Sequence, residues 1–255
     1  MAIKEVFPNP TVKQVIFQIR FPNLFYIENK IGDFQLRVMN EFPESTMLHR
    51  RTFTWVDMGP EAKLTEIESR LEKEPTGQRI WQFKSPKGFQ LNVLGNSLDI
   101  TSDYHKTYNL EGGDKFRDII EFVLDNFLDI VALPIINRIG LRYIDECPIP
   151  SKENLAFKSY YNSVFPLDRF DLADAHEMDF KTIVRRGNYH LHYVESLKKV
   201  KDEYRLILDF DGFATNVSPK DYLAVTDDLH KAISDEYEIT IREPVKEYMR
   251  QPKEG

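Results

Sequence analysis

Two histidines and two aspartates carry the spacing best suited to chemistry. His190 and His192 stand in YHLHYVE, and Asp209 and Asp211 stand in LILDFDGF. Residues two apart on a strand share a face. Pairing of the two segments therefore predicts a patch of two imidazoles and two carboxylates. Such a patch could ligate a metal that activates water, the chemistry of a metal-dependent hydrolase or nuclease. The plainer expectation is a solvated sheet face of mixed polar residues. The chain contains neither HExxH nor a CxxC pair, so no fixed ligand spacing supports a metal. His176, beside Glu177 and Asp179, is a lesser candidate of the same kind.

Arg20 and Arg142 form a second constellation. VIFQIRF (15–21) has a faint echo in NRIGLRY (137–143), and the two arginines hold matching places in it. Both alternate out of apolar rows, Phe17, Ile19 and Phe21 in one segment and Ile139, Leu141 and Tyr143 in the other. In a shared sheet they would approach a pseudo-twofold axis and grip a carboxylate or phosphate with their planar forks. Pairing with an acid on a neighbouring strand is the competing expectation. Arg50-Arg51, Arg185-Arg186 and Lys198, Lys199 and Lys201 add local positive charge. His230 reads as a satisfied residue of the surface or of a core edge. Cys147 follows Asp145-Glu146, and acids so close raise a thiol pKa, which argues against a nucleophile.

The elements that must position these residues follow from period. Val15, Phe17, Ile19 and Phe21 alternate as a half-buried strand. Residues 28–42 switch to a helical stripe ended by Pro43. Strand-like pieces follow at 53–56, 64–72, 80–83, 89–94 and 98–101, with turns at 75–77 and 86–88. Residues 114–131 are the strongest helix, with Asp114 expected as its N-cap. The second half runs as a strand at 136–144, a partial helix at 152–165 and strands at 170–185, 189–196 and 204–210. A closing helix is capped by Ser218 with Pro219 in its first turn. Residues 247–255 read as a frayed tail.

Each half thus reads as strand, helix, antiparallel strands and long helix. The predicted fold is α+β: a duplicated unit with helices packed on a curved antiparallel sheet. The expected division is a first repeat at 1–133, a second at 134–248 and a flexible tail at 249–255. At the level of fold alone the order looks like TATA-binding-protein-like or helix-grip arrangements.

The chain also resembles a sporadically distributed family of uncharacterised bacterial and archaeal proteins of about this length. The resemblance rests on Phe7-Pro8-Asn9-Pro10 followed by VIFQIRF, on INRIGLRYID (136–145), and on LILDFDGF leading into DDLHKAI (227–233). It transfers no catalytic residue. What it implies is an accessory or defence-related role.

Composition narrows the function classes. The 255 residues are 42% hydrophobic and 29% charged, an ordinary globular balance. No apolar run is long enough to span a membrane, and the first residues lack a signal peptide's apolar core. A lone cysteine fits a reducing, cytoplasmic setting. The net charge of −7 disfavours a general nucleic-acid surface but leaves room for a local basic groove. No glycine-rich phosphate fingerprint is present, and no cofactor is expected. The leading expectation is a non-catalytic protein-binding or regulatory module, with a protein partner or self-association and with Arg20 and Arg142 as anchors. The metal-dependent hydrolase and a nucleic-acid-binding saddle are the alternatives.

Overall fold

The computed structural model describes residues 5–50, 78–200 and 203–252. The strands expected at 53–56 and 64–72, the turn at 75–77, and Arg51, Trp55 and Lys201 lie outside the described residues. What is described is an α+β fold built on one antiparallel sheet with several helices.

The chain opens with β1 (Val12–Arg20), a 3-10 turn (Ile27–Lys30) and α1 (Ile31–Val38). Then come β2 (Glu44–Arg50), β3 (Gln78–Lys84), β4 (Phe89–Leu94), β5 (Ser97–Ser102) and α2 (Phe116–Ile130). The second half contributes β6 (Ile136–Pro148), α3 (Asn154–Tyr160), β7 (Met178–Arg186), β8 (Tyr189–Val200) and β9 (Glu203–Val217). It closes with α4 (Tyr222–Thr240) and α5 (Glu243–Arg250). The strand order is β2-β3-β4-β5-β1-β6-β9-β8-β7. The opening strands of the two halves therefore meet at the centre, and each half extends outward from them.

Register assigns the two faces. Phe17 lies opposite Leu141 and Ile100, and Leu141 lies opposite Gly212. Phe17, Leu141 and Ile100 are fully buried. They face the helices: Phe21 packs on Phe127 of α2, Phe34 of α1 on Phe83 of β3, and a Cβ on Gly212 would meet Ile233 of α4 at 3.2 Å. Burying such side chains against a second layer is what makes the sheet stable. The alternate residues, Gln18, Arg142, Asp211 and His192 among them, form the opposite, open face.

Polar clamps join the long helices across the halves. Arg117 of α2 donates from Nε (2.9 Å) and Nη2 (3.2 Å) to Asp227 of α4. Tyr108 donates to the same carboxylate at 2.6 Å, and Tyr222 of α4 donates to Asp125 of α2 at 2.7 Å.

Several local expectations are corrected. Residues 44–50 form a strand that alternation did not reveal, because ESTMLHR at a sheet edge has no buried row to maintain. The strand expected at 170–185 begins only at Met178, after a run of turns. The strand expected at 204–210 continues to Val217, through Gly212, which lies against Ile233 of α4. Asp114 does not cap α2. Lys115 holds that position without a side-chain bond, and Asp114 instead accepts from the Tyr104 hydroxyl. Residues 247–250 are no frayed tail: they end α5, which buries Val245 and Met249.

Phe127 is the test of this packing, because its ring meets both Phe21 (5.7 Å) and Phe34 (5.5 Å) with no exposure. Phe127→Ala is expected to cost about 3–5 kcal/mol, measured as a lowered urea midpoint at unchanged slope.

Candidate functional site

The open face gathers most of the residues that spacing singled out. Gln18 and Gly140 are opposite one another at its centre. Arg20 stands two residues from Gln18 on β1, and Arg142 two residues from Gly140 on β6, so they flank this pair from opposite ends. Arg20 is paired in register with Arg138 and Arg142 with Ile16. Four residues of strand, roughly 13 Å, therefore separate the two predicted anchors.

Arg142 is already engaged. It donates through Nε at 2.7 Å and through Nη2 to the two oxygens of Asp209, a bidentate bond that raises its pKa further. Pairing with an acid on the neighbouring strand, the competing expectation, is what this arginine does. Arg138, which the sequence reading passed over, holds Asp211 through Nη2 at 2.8 and 2.7 Å. Its guanidinium also lies 4.7 Å above the Phe213 ring, a cation–π contact.

Gly140 makes that pose possible. A Cβ there would come within 2.4 Å of Arg138 Nη1, so the arginine folds back over the bare glycine. Two arginines directly opposite on one face repel, and this fold-back relieves the Arg20–Arg138 pair by turning Arg138 to Asp211. Arg20 is exposed, and its Nε donates to Gln18 Oε1 at 2.8 Å.

The histidines and aspartates share the open face. His192 lies in register with Asp211, and His190 with Phe213, on which its ring stacks at 5.1 Å. The arginines, however, occupy all four carboxylate oxygens. His190 Nδ1 and His192 Nε2 are buried without a hydrogen-bond partner. Among the described residues no three His, Cys, Asp or Glu side chains are gathered as metal ligands. His176 is exposed and belongs to no such group.

Beside the arginines the face opens into a groove of about 670 Å³. Gln18, Arg20, Gln82, Asn92, Asp99 and Arg138 are among its lining residues. Its amides are linked across strands: Gln82 Nε2 reaches Asn92 Oδ1 at 3.1 Å, and Asn92 Nδ2 reaches Asp99 Oδ2 at 2.9 Å. Burial pushes the Asp99 carboxyl above its usual pKa, and the Asn92 bond offsets part of the rise. Among the described residues the groove thus presents one acid, two arginines and a row of amides, a surface suited to hydrogen bonding with an extended polar ligand. The signal for it in the sequence was the polar half of the alternation in QLNVLGNSLDI, but nothing local says which polar residues become neighbours.

Cys147 is buried, and burial first, then Asp145, raises its thiol pKa well above the ordinary value. No helix among the described residues is long and apolar enough to cross a membrane. Comparison of the chain with protein-family models, curated proteins and solved structures finds no match.

The Gly140–Arg138 dependence is open to a double-mutant cycle. Gly140→Ala is expected to displace Arg138 and lower stability. In an Arg138→Ala background the same change becomes neutral or stabilising by up to about 1 kcal/mol, because alanine suits a strand better than glycine. A coupling of about 1–2 kcal/mol between the sites, read from paired denaturation curves, is the expected result.

Proposed function

We propose that this protein is a non-catalytic binding module that recognises an acidic segment of a protein partner in the groove beside the Gln18–Gly140 pair. The observation that carries the reading is Arg20: an exposed guanidinium, bonded to a neutral amide, placed opposite a second arginine at the mouth of a polar groove. Among the described residues its Nη groups are paired with no acid in the way Arg142 is paired with Asp209 or Arg138 with Asp211. A carboxylate side chain entering the groove gains a bidentate partner, and the amides of Gln82 and Asn92 supply hydrogen bonds for an extended main chain. Arg138 and Phe213 form the adjoining wall, a guanidinium over an aromatic ring of the sort enriched at binding hot spots.

The same proposal holds that the two halves are copies of one unit, as in TATA-binding-protein-like or helix-grip proteins. It is supported by the strand, helix, strands, long helix order of each half and by the meeting of β1 and β6 at the centre. A cytoplasmic setting belongs to it too, supported by a single cysteine that is buried and unpaired. This placement leaves Arg20 as the anchor and gives Arg142 a supporting task, holding Asp209 so that the face is not left with an unpaired acid.

Fluorescence anisotropy with a labelled oligoglutamate peptide tests the reading. The wild-type chain is expected to bind it with an affinity that falls as salt rises. Arg20→Ala is expected to weaken binding about tenfold, and Arg185→Ala, outside the groove, to leave it unchanged. No binding by the wild-type chain, or binding indifferent to Arg20, sinks the proposal. Preferential capture of a single-stranded oligonucleotide over the peptide turns it towards nucleic acid.

A further inference from the structure

A second cavity lies on the helix side of the sheet, away from the groove. It has a volume of about 120 Å³. Its floor is Val12 at the start of β1, Tyr143 and Asp145 of β6 and Phe210 of β9, its roof is α4, and its rim is formed by residues between 5 and 11, the loop 106–110 and Met249 of α5. Asp145 of β6 stands on this floor with only 5% of its surface exposed. Thr11 Oγ1 donates to Asp145 Oδ1 at 2.8 Å. Thr11 has a single hydroxyl hydrogen, so the Tyr237 hydroxyl, 2.6 Å away, must donate to Thr11 in turn.

The walls are aromatic. Tyr108, Tyr143, Phe210, Tyr237 and His230 all line the space. The rings of Tyr108 and His230 stack at 4.2 Å, and the Tyr143 hydroxyl lies 3.5 Å from His230 Nδ1. The Asp227 carboxylate fixes Tyr108 from behind. Burial pushes the His230 pKa down to about 4, so this wall is uncharged near neutrality.

We propose that this cavity binds a small organic ammonium ion, with Asp145 as its counter-ion and the rings of Tyr108, Tyr143 and Tyr237 as its cation–π walls. A buried carboxylate is costly unless paired, and aromatic faces are negative at their centres. Lys106 lines the rim, but its Nζ is held by the Val12 and Asp103 carbonyls at 3.1 and 2.7 Å, and Glu5 there is paired with Arg250. The buried acid beneath several rings is therefore complementary to a compact cation that carries apolar substituents. A volume of about 120 Å³ suits a compact cation.

The charge state of Asp145 provides the pH signature. Burial pushes its carboxyl up to about 7, while the Thr11 bond and Lys106 pull the other way and Asp209, across the sheet, adds to the rise. The other titratable groups around it are Lys106 and Tyr108 on the loop, Tyr143 on β6, Tyr237 and His230 on α4, and Glu5 at the rim, with Cys147 two residues on along β6. Glu5 is itself paired with Arg250 at 3.1 Å. A carboxyl whose folded pKa is raised contributes stability that is fully present below about 4 and is lost as the pH rises through about 7. Ligand binding runs the opposite way, because the cation competes with the Asp145 proton.

Calorimetry and thermal unfolding of the full chain, with choline and ethylammonium chlorides as probes, decide the matter. The neutral isostere 3,3-dimethylbutan-1-ol and sodium chloride at equal ionic strength serve as controls. At least one ammonium probe is expected to bind and raise the Tm. Its affinity should fall by up to about tenfold per pH unit below the Asp145 pKa. Asp145→Asn is expected to abolish that binding while raising the Tm of the ligand-free protein at pH 8, which shows that the variant folds. Tyr108→Leu should weaken choline binding with Asp145 intact. Absence of binding by either ammonium ion, equal binding of the neutral alcohol, or binding that survives in Asp145→Asn overturns the proposal.

Discussion

The antiparallel pairing of β1 with β6 is the constraint on which the rest depends. It joins strands more than a hundred residues apart in the chain, so it is formed against a substantial loop-closure cost. Its register, with Phe17 opposite Leu141 and Gln18 opposite Gly140, is held by burial. A shift of one residue would turn Val15, Phe17, Ile19, Ile139 and Leu141 out to solvent. Once that register is set, the parity of every other strand follows through the ladder, and one face is committed to the helices.

The open face is the by-product of that commitment, and its electrostatics are decided by which strands become neighbours. β9 lies beside β6, which brings Asp209 and Asp211 within reach of Arg142 and Arg138. β5 lies beside β1, but its acid on this face, Asp99, accepts from Asn92, and Arg20 turns to Gln18. Arg142 and Arg138 are thus engaged by acids of β9, while Arg20 is bonded to a neutral amide. Gly140 contributes by the absence of a side chain, giving Arg138 the room to lie over its own strand.

The helix face is held by more than apolar area. Buried polar groups there are bonded: Glu195, fully buried, accepts from Ser163, from Val164 N at 3.1 Å and from Tyr193 at 2.9 Å. Burial raises its carboxyl pKa, and these bonds limit the rise. Asp227 ties α4 to both α2 and Tyr108. The two long helices are therefore fixed to each other as well as to the sheet, and the aromatic cavity behind Tyr108 inherits its shape from that clamp.

Alternation in VIFQIRF and LRYID, and the stripe Phe116, Ile120, Val123, Leu124, Phe127, determined which residues would be buried, because strand and helix periods are local properties of a chain. The α+β class and most element positions were legible for that reason. Where no row had to be buried, as in β2, alternation was silent. The partners of the polar residues were decided only by the tertiary structure. Arg142 meets Asp209, 67 residues on, and Thr11 meets Asp145 and Tyr237, 134 and 226 residues on. No local pattern encodes such distances: a polar side chain on a strand is assigned a face by its own neighbours, but its partner is assigned by inter-strand register and helix docking, which depend on the burial of the whole chain at once.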